Sequence, residues 1–367
     1  MRIGINGFGR IGRLIVRSAL ARGVHLDLVA INDRGSAAMN AHLLQFDSTY
    51  GPLRERIEAC GDRLIVNGQT IRITSHLSPL DIPWRDLGVE LVIEATGVFT
   101  TAEQAEAHLQ AGAERVLVTA PSKGADTTLV AGVNEHDYDP LSHQIISAAS
   151  CTTNALAPVA KVLHDRFGVL HGMMSTVHAY TNDQRILDRS HQDPRRARAG
   201  AENIIPTTTG ATRTLGQVLP ELAGKFHGVS YRVPTVTVSV IDLSAELAED
   251  VATEEVNAAL REAAAGPLAG VLGFTELPLV SSDFRGDSRS SVVDGLMTTL
   301  PAGRHVARVV SWYDNEWGYA SRVADLAAFI SECELAEPRP QRVHVVERER
   351  MEQALRTVSY VSEDALL

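Results

Sequence analysis

Three glycines near the start of the chain, Gly7, Gly9 and Gly12, have the spacing GxGxxG and separate two segments of different periodicity. The segment before them is short and apolar, as in a buried strand, whereas the segment after them has the apolar spacing of a helix. A second apolar strand follows. Because a strand, a helix and a strand in this order form a parallel βαβ unit, we expect a parallel sheet with helices on its faces. The predicted elements are a strand at 2–5, a helix at 10–21 and a strand at 26–31.

The same glycines predict a dinucleotide site. Glycine permits a tight turn and a close approach of the backbone to a pyrophosphate, whose oxygens bind the free N–H groups at the start of the helix. Asp33 follows the second strand and is placed to accept hydrogen bonds from an adenosine ribose. Further buried strands at 91–95 and 116–119 end in small or hydroxylated residues, where a parallel sheet meets its ligand. The candidate cofactor residues are Gly7, Gly9, Arg10, Ile11, Gly12, Asp33, Thr96, Gly97 and Thr119.

The pattern changes after residue 150. The sequence predicts a helix at 154–167, a polar loop at 182–200, and strands at 233–243, 279–281 and 306–312. This order fits an antiparallel sheet with helices. The predicted fold class is therefore an α/β Rossmann fold with a doubly wound sheet, followed by an α+β domain with an antiparallel sheet. With 367 residues, of which 44% are hydrophobic, the chain is long enough for two such cores.

Charge and cysteine content limit the partners and the compartment. A formal net charge of -11 repels nucleic acid and anionic membrane surfaces, so neither is expected as a partner. The three cysteines, Cys60, Cys151 and Cys333, lack the paired spacing of a zinc or redox motif, and no metal site is predicted. They are typical of a reducing compartment. Since the sequence also begins without a leader and has no apolar run of membrane-spanning length, we expect a cytoplasmic protein.

One cysteine and one histidine together predict covalent redox chemistry. Cys151 precedes the predicted helix at 154–167, and His178 lies further along the chain. A thiolate can add to an aldehyde to give a thiohemiacetal, an imidazole can take the thiol proton, and a nicotinamide can remove hydride to leave a thioester. The helix dipole and an imidazolium partner are expected to lower the pKa of Cys151. A buried structural cysteine and a satisfied core histidine are the alternative.

Four runs of sequence resemble phosphorylating glyceraldehyde-3-phosphate dehydrogenase. They are Asn6-Gly7-Phe8-Gly9-Arg10-Ile11-Gly12-Arg13, Ser150-Cys151-Thr152-Thr153-Asn154, His178-Ala179-Tyr180-Thr181 and Trp312-Tyr313-Asp314-Asn315-Glu316-Trp317-Gly318-Tyr319. The resemblance extends from Met1 to about Ile330 and implies a homotetramer. It also implies four parts of each subunit: a Rossmann domain at 1–150, a catalytic domain at 151–315, a helix at 316–335 that returns to the cofactor domain, and a C-terminal extension at 336–367.

The resemblance further implies the reaction and the role of each site residue. The family oxidises D-glyceraldehyde 3-phosphate reversibly to 1,3-bisphosphoglycerate, using NAD and inorganic phosphate. Cys151 would be the nucleophile, and His178 the base and later the acid. Asn315 matches the asparagine that holds the nicotinamide carboxamide. The matched phosphate-binding residues are Thr181 and Arg232 for the C3 phosphate, and Ser150, Thr152, Arg196, Thr209 and Gly210 for inorganic phosphate. A solvated loop charge is the alternative for Arg196.

Two other functions stay open. Erythrose-4-phosphate dehydrogenases have similar sequences but pass the acyl group to water, and the run Ile204-Ile205-Pro206-Thr207-Thr208-Thr209-Gly210 favours phosphorolysis instead. A non-catalytic regulatory protein on the same fold is disfavoured, because Cys151, His178 and Asn315 are all present.

Cofactor choice and the tail give two further predictions. Asp33 favours NAD because its carboxylate repels a 2′-phosphate, whereas Arg34 and Ser190 suit that phosphate and resemble the dual-cofactor photosynthetic branch of the family. We therefore expect both NAD and NADP to support turnover, unless Arg34 only stacks on adenine or faces solvent. The extension at 336–367 is expected either to pack between subunits or to be a solvated terminus.

Overall fold

The computed structural model describes residues 1–300 and 305–336. The described chain divides into two compact units, one formed by residues 1–129, 137–148 and 323 onward, the other by residues 130–136 and 149–322. All but the first residue of the predicted extension at 336–367 lies outside the described residues. Within the described ranges, no helix combines the length and the apolar character needed to cross a membrane.

The first unit contains a large sheet with helices. In its described part, the strands are β1 (Arg2–Asn6), β2 (Asp27–Asn32), β3 (Phe46–Asp47), β4 (Gly51–Pro52), β5 (Ile57–Cys60), β6 (Arg63–Val66), β7 (Gln69–Thr74), β8 (Leu91–Glu94), β9 (Arg115–Val118), β10 (Thr127–Thr128) and β11 (Ile145–Ser147), and the helices are α1 (Arg10–Arg22), α2 (Ala37–Gln45), α3 (Trp84–Leu87) and α4 (Ala102–Gln110). The predicted βαβ unit is confirmed as β1, α1 and β2.

The sheet of this unit is doubly wound, as predicted. Its strand order is β10-β11-β9-β8-β1-β2-β7-β6-β5, and neighbours from β10 to β7 pair in parallel. β5 and β6 extend one edge with antiparallel pairing. Because β1 lies between β2 and β8, the strand order reverses there. The carboxyl ends of β1 and β8 therefore form the place where such sheets bind ligands.

The second unit contains a mixed sheet. Its strands are β12 (Val169–Ala179), β13 (Ile205–Thr208), β14 (Phe226–Val233), β15 (Ser239–Leu247), β16 (Leu272–Thr275), β17 (Ser291–Thr299) and β18 (Val306–Tyr313), and its helices are α5 (Cys151–Phe167), α6 (Ala211–Val218) and α7 (Thr253–Ala265), while α8 (Trp317–Ala336) has residues in both units. The order is β13-β14-β12-β15-β18-β17-β16. Pairing is antiparallel except at β12/β14 and β16/β17, so the predicted α+β domain with an antiparallel sheet is confirmed, with two parallel pairs within that sheet.

One face of the second sheet forms the core of its unit. Met174 of β12 and Leu243 of β15 are buried there with Leu156 and Leu163 of α5. The next residue along β12 points the other way, since side chains alternate between the faces of a strand. Met173 is accordingly exposed, as is Val229 of β14. The helices thus cover one face, and the opposite face carries apolar side chains at the surface of the chain.

Three predicted elements differ from the structure. The helix predicted at 154–167 begins earlier, at Cys151, because Ser150 caps it. The strand predicted at 233–243 is interrupted: Val233 ends β14 and β15 begins at Ser239, after Val238 with its φ of 69°. Residues 279–281 form no strand. The Val280 N–H donates instead to the Asp283 carboxylate at 2.8 Å, and Ser281–Phe284 is a 3-10 helix.

Candidate active site

Cys151 is the first residue of α5 and faces the end of β12. The Oγ of Ser150 accepts a hydrogen bond from the N–H of Thr153 at 3.1 Å and so begins the helix at Cys151. Cys151 Sγ lies 3.5 Å from His178 Nε2, within reach of a hydrogen bond to sulfur. The structure thus brings together the predicted nucleophile and the predicted base.

Arg232 lies beside His178 because β12 and β14 pair in parallel with these two residues opposite each other. Arg232 Nη1 is 2.8 Å from His178 Nδ1, and the carbonyl oxygen of Ala179 is 2.6 Å from the same nitrogen. A guanidinium only donates and a carbonyl only accepts, so Nδ1 satisfies one neighbour at a time. In a neutral imidazole, the contact with Arg232 places the proton on Nε2, and the contact with Ala179 places it on Nδ1.

Burial determines the charge of the Cys151–His178 pair. Burial and, to a smaller extent, the positive Arg232 lower the pKa of His178 to about 3, so the imidazole is neutral at pH 7. Burial raises the pKa of the Cys151 thiol, and Arg232 only partly opposes this. The predictions of an imidazolium partner and of a lowered cysteine pKa are therefore wrong for this structure. A neutral thiol faces a neutral imidazole, an arrangement suited to proton transfer during nucleophilic attack.

The backbone is strained at two residues near Cys151 and His178. Ala149, two residues before Cys151, has a φ of 56°, and Val238 has a φ of 69°. Non-glycine residues adopt such angles at a cost of about 1–3 kcal/mol and only where the surroundings hold them. The Tyr319 hydroxyl donates to the Ala149 carbonyl at 3.0 Å. After Val238, Ser239 Oγ accepts from the N–H of Ala179 at 3.1 Å. Hydrogen bonds thus hold the carbonyl of Ala149 and the side chain of Ser239, the residue after Val238.

Asn315, the predicted nicotinamide ligand, is hydrogen-bonded to Ser239, the residue after Val238. Its Oδ1 accepts a hydrogen bond from Ser239 Oγ at 2.9 Å, and only 5% of the residue is exposed. Ser239 thus connects Asn315 to Ala179, the residue after His178. The orientation of the Asn315 amide follows from this contact, because an acceptor oxygen must face the hydroxyl.

Sequence reasoning missed Tyr313. Its hydroxyl lies 3.0 Å from Thr152 Oγ1 and 2.9 Å from Thr176 Oγ1, and its ring meets His178 edge-on with centroids 6.0 Å apart. Tyr313 therefore joins α5, β12 and β18 beside Cys151 and His178. The available signal was the alternation of buried residues along β18, which places Tyr313 on the buried face.

Arg196 lies in a polar loop of the second unit. It forms an ion pair with Asp183, and its Nη2 donates to Thr207 Oγ1 at 2.8 Å. In the described parts of the chain, no hydrogen bond joins Arg196 to Cys151 or His178. Its charge nevertheless contributes to a lowered pKa of Arg232, whose largest cause is burial. The two cations are thus close enough to repel each other, as expected of a surface that binds anions.

The other predicted phosphate ligands lie at the ends of local elements. Gly210 is the N-cap residue of α6, and Thr209 Oγ1 accepts from the N–H of Ala211 at 3.2 Å. The N–H of Thr181 donates to Gln184 Oε1 at 3.3 Å. Arg232 Nε is buried and has no hydrogen-bond partner among the described residues. A buried guanidinium with an unsatisfied donor suits an anionic ligand.

In the first unit, the glycine turn has the geometry expected for a dinucleotide loop. Gly7 has a φ of 91°, and a Cβ on Gly12 would lie 2.3 Å from the Gly7 carbonyl oxygen. Among the described residues, a Cβ on Gly9 would meet no atom within 4 Å, and no side chain caps the start of α1. Open space above free N–H groups of a helix fits a pyrophosphate. Asp33 Oδ2 accepts from the N–H of Phe8 at 2.9 Å, so the carboxylate lies against the turn.

The remaining predicted cofactor residues fall into two groups. Thr119 Oγ1 donates to the Glu94 carbonyl at 3.0 Å, which places it with Thr96 and Gly97 beyond the carboxyl ends of β8 and β9, while Ile11 is in the first turn of α1. The other group consists of Arg10, Arg34 and Ser190. The Arg10 side chain pairs with Asp47, Arg34 is exposed, and Ser190 is in the second unit, where its carbonyl accepts from Arg185 Nε at 3.0 Å.

Comparison with protein families gives two matches. Residues 1–102 match the glyceraldehyde 3-phosphate dehydrogenase NAD binding domain, and residues 150–315 match the glyceraldehyde 3-phosphate dehydrogenase C-terminal domain. The chain belongs to the glyceraldehyde-3-phosphate dehydrogenase family. The first match contains the glycine turn, Asp33 and Thr96, and the second contains Cys151 and His178. The resemblance stated from the sequence is therefore confirmed.

Individual relatives in the glyceraldehyde-3-phosphate dehydrogenase family are similar over most of the chain. The chain is 54% identical over 331 residues to glyceraldehyde-3-phosphate dehydrogenase 1 of Bacillus subtilis and to glyceraldehyde-3-phosphate dehydrogenase of Geobacillus stearothermophilus, covering 90% of this chain and 98% of each relative. It is 52% identical over 334 residues to glyceraldehyde-3-phosphate dehydrogenase 2 of Nostoc sp., covering 90% of this chain and 99% of the relative. These relatives support an NAD-dependent oxidoreductase.

Proposed function

We propose that the chain catalyses the reversible oxidation of D-glyceraldehyde 3-phosphate to 1,3-bisphosphoglycerate with NAD and inorganic phosphate. Family membership supports the reaction. The observation that carries the mechanism is the 3.5 Å contact between Cys151 Sγ and His178 Nε2, with Arg232 beside the imidazole.

The covalent steps follow from this pair. Cys151 Sγ adds to the aldehyde carbon, and His178 Nε2 takes the thiol proton and gives it to the former carbonyl oxygen, so that a neutral thiohemiacetal forms and the imidazole is again a base. NAD, when bound, accepts the hydride that leaves this carbon. His178 removes the hydroxyl proton in the same step, which leaves a thioester on Cys151. A phosphate oxygen then adds to the acyl carbon, the C–S bond breaks, and the protonated His178 returns its proton to the departing sulfur.

Arg232 is proposed to bind the C3 phosphate with Thr181. Its buried Nε, which has no hydrogen-bond partner in the described parts of the chain, supports this role. Binding would also prepare the base. When Nη1 turns to the phosphate, His178 Nδ1 is free to donate to the Ala179 carbonyl, and Nε2 then presents a lone pair to the Cys151 thiol. An aldehyde without the phosphate should therefore show a lower kcat as well as a higher KM.

Inorganic phosphate is proposed to bind Ser150, Thr152, Arg196, Thr209 and Gly210. Their hydroxyl groups, backbone N–H groups and guanidinium provide charge-assisted hydrogen bonds. The proposal requires Arg196 to exchange its ion pair with Asp183 for the ligand. Because Arg196 also contacts Thr207, the inorganic phosphate would be held close to residues 204–210, the segment whose sequence favours phosphorolysis.

Steady-state assays with two sugar phosphates test the proposed reaction. NADH formation from D-glyceraldehyde 3-phosphate should depend on inorganic phosphate and should exceed that from erythrose 4-phosphate. Phosphate-independent oxidation of erythrose 4-phosphate would favour the alternative dehydrogenase. A protein that binds these compounds without turnover, and whose Cys151 is not protected by substrate from an electrophile, would favour the regulatory alternative.

We further propose that NADP also supports turnover. Exposed Arg34 is available for a 2′-phosphate, and the two Asp33 oxygens already accept from the backbone N–H groups of Phe8 and Gly35 at 2.9 and 2.7 Å. Arg34→Leu combined with Ser190→Pro should lower kcat/KM about tenfold for NADP and spare NAD. Equal losses with both cofactors, or no NADP turnover in the parent enzyme, would overturn this proposal.

The assembly is proposed to be a homotetramer in the cytoplasm. The sheet face opposite the core of the second unit supports association, because Met173 is 71% and Val229 45% exposed in the single chain. Neighbouring apolar residues on an exposed face are typical of protein interfaces. The cytoplasmic location is proposed because three cysteines without paired spacing are typical of a reducing compartment.

A further inference from the structure

Glu94 is a buried carboxylate beneath the glycine turn that the proposed chemistry does not use. It is the last residue of β8, and only 1% of it is exposed. Its Oε2 accepts from Asn6 Nδ2 at 2.6 Å and lies 3.0 Å from His108 Nε2. Its Oε1 accepts from the N–H of Thr96 at 2.8 Å and from the Thr96 hydroxyl. Each oxygen thus has two partners among the described residues.

The proton positions in this network follow from Trp84. Its Nε1 only donates, and it lies 2.9 Å from His108 Nδ1, which must therefore accept. In a neutral imidazole the proton is then on Nε2 and is donated to Glu94. The four hydrogen bonds of the Glu94 side chain described above are consequently all from donors. A carboxylate suits this position because both of its oxygens accept hydrogen bonds. A glutamine here would direct its amide N–H groups at another donor.

The network continues from Glu94 to both sides of the cofactor turn. Asn6 precedes Gly7, and its Oδ1 accepts from Asn32 Nδ2 at 2.8 Å. Asn32 precedes Asp33, and its carbonyl accepts from the N–H of Gly7 at 2.8 Å. Glu94 therefore holds Asn6, the residue before the turn. Through Asn6 it also holds Asn32, the residue before the predicted ribose ligand Asp33.

Thr96 supports the turn from the other direction. A Cβ on Gly7 would lie only 2.7 Å from the Thr96 backbone nitrogen, so the turn packs directly on this residue. That same nitrogen is the one hydrogen-bonded to Glu94. A change in the Glu94 contacts would therefore shift both Asn6, which precedes Gly7 in the chain, and Thr96, on which Gly7 packs.

We propose that Glu94 is a positioning residue for the dinucleotide site, holding the Gly7 turn and Asp33 in the arrangement that binds the pyrophosphate and the ribose. This inference rests on the proposed use of NAD. It assigns to Glu94 an effect on cofactor affinity and not on the covalent steps at Cys151, because the side-chain hydrogen bonds of Glu94 to described residues are with Asn6, Thr96 and His108.

Glu94→Gln in the full chain tests the proposal. The Kd for NAD, measured by titration calorimetry, should rise about ten- to a hundredfold, as expected when a hydrogen bond to a charged group is lost. At saturating NAD and substrate, kcat should stay within a few-fold of the parent value, while KM for NAD rises with Kd. An unchanged Kd in a folded Glu94→Gln protein would overturn the proposal.

Glu334→Gln is the matched control. Glu334 is a largely buried carboxylate of the same unit, and it pairs with Arg115 at 3.0 Å at the amino end of β9. The same chemical change there should lower the melting temperature but leave the Kd for NAD unchanged. Equal losses of NAD affinity in both variants would show a general effect of destabilisation and would also overturn the proposal.

Asn6→Ser provides a second route if Glu94→Gln does not fold. The shorter side chain cannot join Glu94 to Asn32, and Glu94 keeps its contacts with Thr96 and His108. NAD affinity should again fall, and a folded Asn6→Ser protein with parental affinity would contradict the proposal. If the parent chain itself fails to bind NAD, the proposed function fails instead, so the two failures are distinguishable.

Discussion

His178 is kept neutral by its surroundings, and this has a consequence for stability. Its pKa in the folded protein is about 3, below the ordinary value of 6.5. Between these values the unfolded chain binds a proton that the folded chain does not bind. The contribution of His178 to stability is therefore complete above pH 6.5 and decreases as the pH falls toward 3.

His178→Asn should remove this acid sensitivity. Urea unfolding at pH 7.5 and pH 5 should show a smaller loss of unfolding free energy in the variant than in the parent, by up to about 1.4 kcal/mol per pH unit below 6.5. His25→Asn, at an exposed position, should retain the parental loss. The same loss in all three proteins would contradict the low pKa of His178.

Turnover is proposed to depend on Cys151 and His178. Cys151→Ser should abolish oxidation, because a serine hydroxyl is far less ionised than a thiol at neutral pH. His178→Asn should leave a residual rate, since removal of a general base typically costs about 10² to 10⁴ in rate. Initial rates of NADH formation measure both effects. Parental turnover in Cys151→Ser would rule out the covalent mechanism.

The sequence was sufficient to pair Cys151 with His178, because their motifs are specific. It was not sufficient to predict that the Cys151 thiol and the His178 imidazole are both neutral, because their pKa values depend on burial and on Arg232. The contact with Arg232 depends on the parallel register of β12 and β14, two strands that local periodicity did not predict. Tyr313 was missed because its role arises from contacts with residues that are distant in sequence.

At the level of elements, the glycines of the turn between β1 and α1 differ in the space around them, so we expect their substitution to have different effects. Gly12→Ala should destabilise the fold and weaken NAD binding, because the new Cβ would lie 2.3 Å from the Gly7 carbonyl oxygen. Gly9→Ala should keep the parental melting temperature, because no atom lies within 4 Å of its Cβ position. Its NAD affinity should still fall, since the methyl group would occupy the space proposed for the pyrophosphate.

Thermal melting and calorimetric titration of NAD separate the two glycine variants. A Gly9→Ala protein with parental affinity would contradict the assigned position of the pyrophosphate. A Gly12→Ala protein with parental stability would contradict the close packing of the turn.

The elements that the sequence predicted well have simple patterns. β1, α1, β2 and β18 follow from apolar periodicity alone. The start of α5 depends on the capping contact of Ser150, and the break before β15 coincides with the strained backbone of Val238. Neither feature has a hydrophobic pattern, so periodicity placed both boundaries incorrectly.

At the scale of the whole molecule, the exposed face of the second sheet should control assembly. Met173→Glu combined with Val229→Glu should reduce the native mass, because burying two carboxylates between subunits is unfavourable. Light scattering after size exclusion measures that mass. Leu277→Glu is the control, since Leu277 is 62% exposed and lies outside the sheet. An unchanged native mass of the double variant would contradict the assigned interface.

The most direct test of the proposed reaction is to trap the acyl group on the protein. The full chain is mixed with D-glyceraldehyde 3-phosphate and NAD in the absence of inorganic phosphate, quenched in acid and analysed by peptide mass spectrometry. A phosphoglyceroyl thioester should form on the peptide containing Cys151 together with NADH, and it should disappear when inorganic phosphate is added. NADH formation without acylation of Cys151, or a thioester that does not react with phosphate, would contradict it.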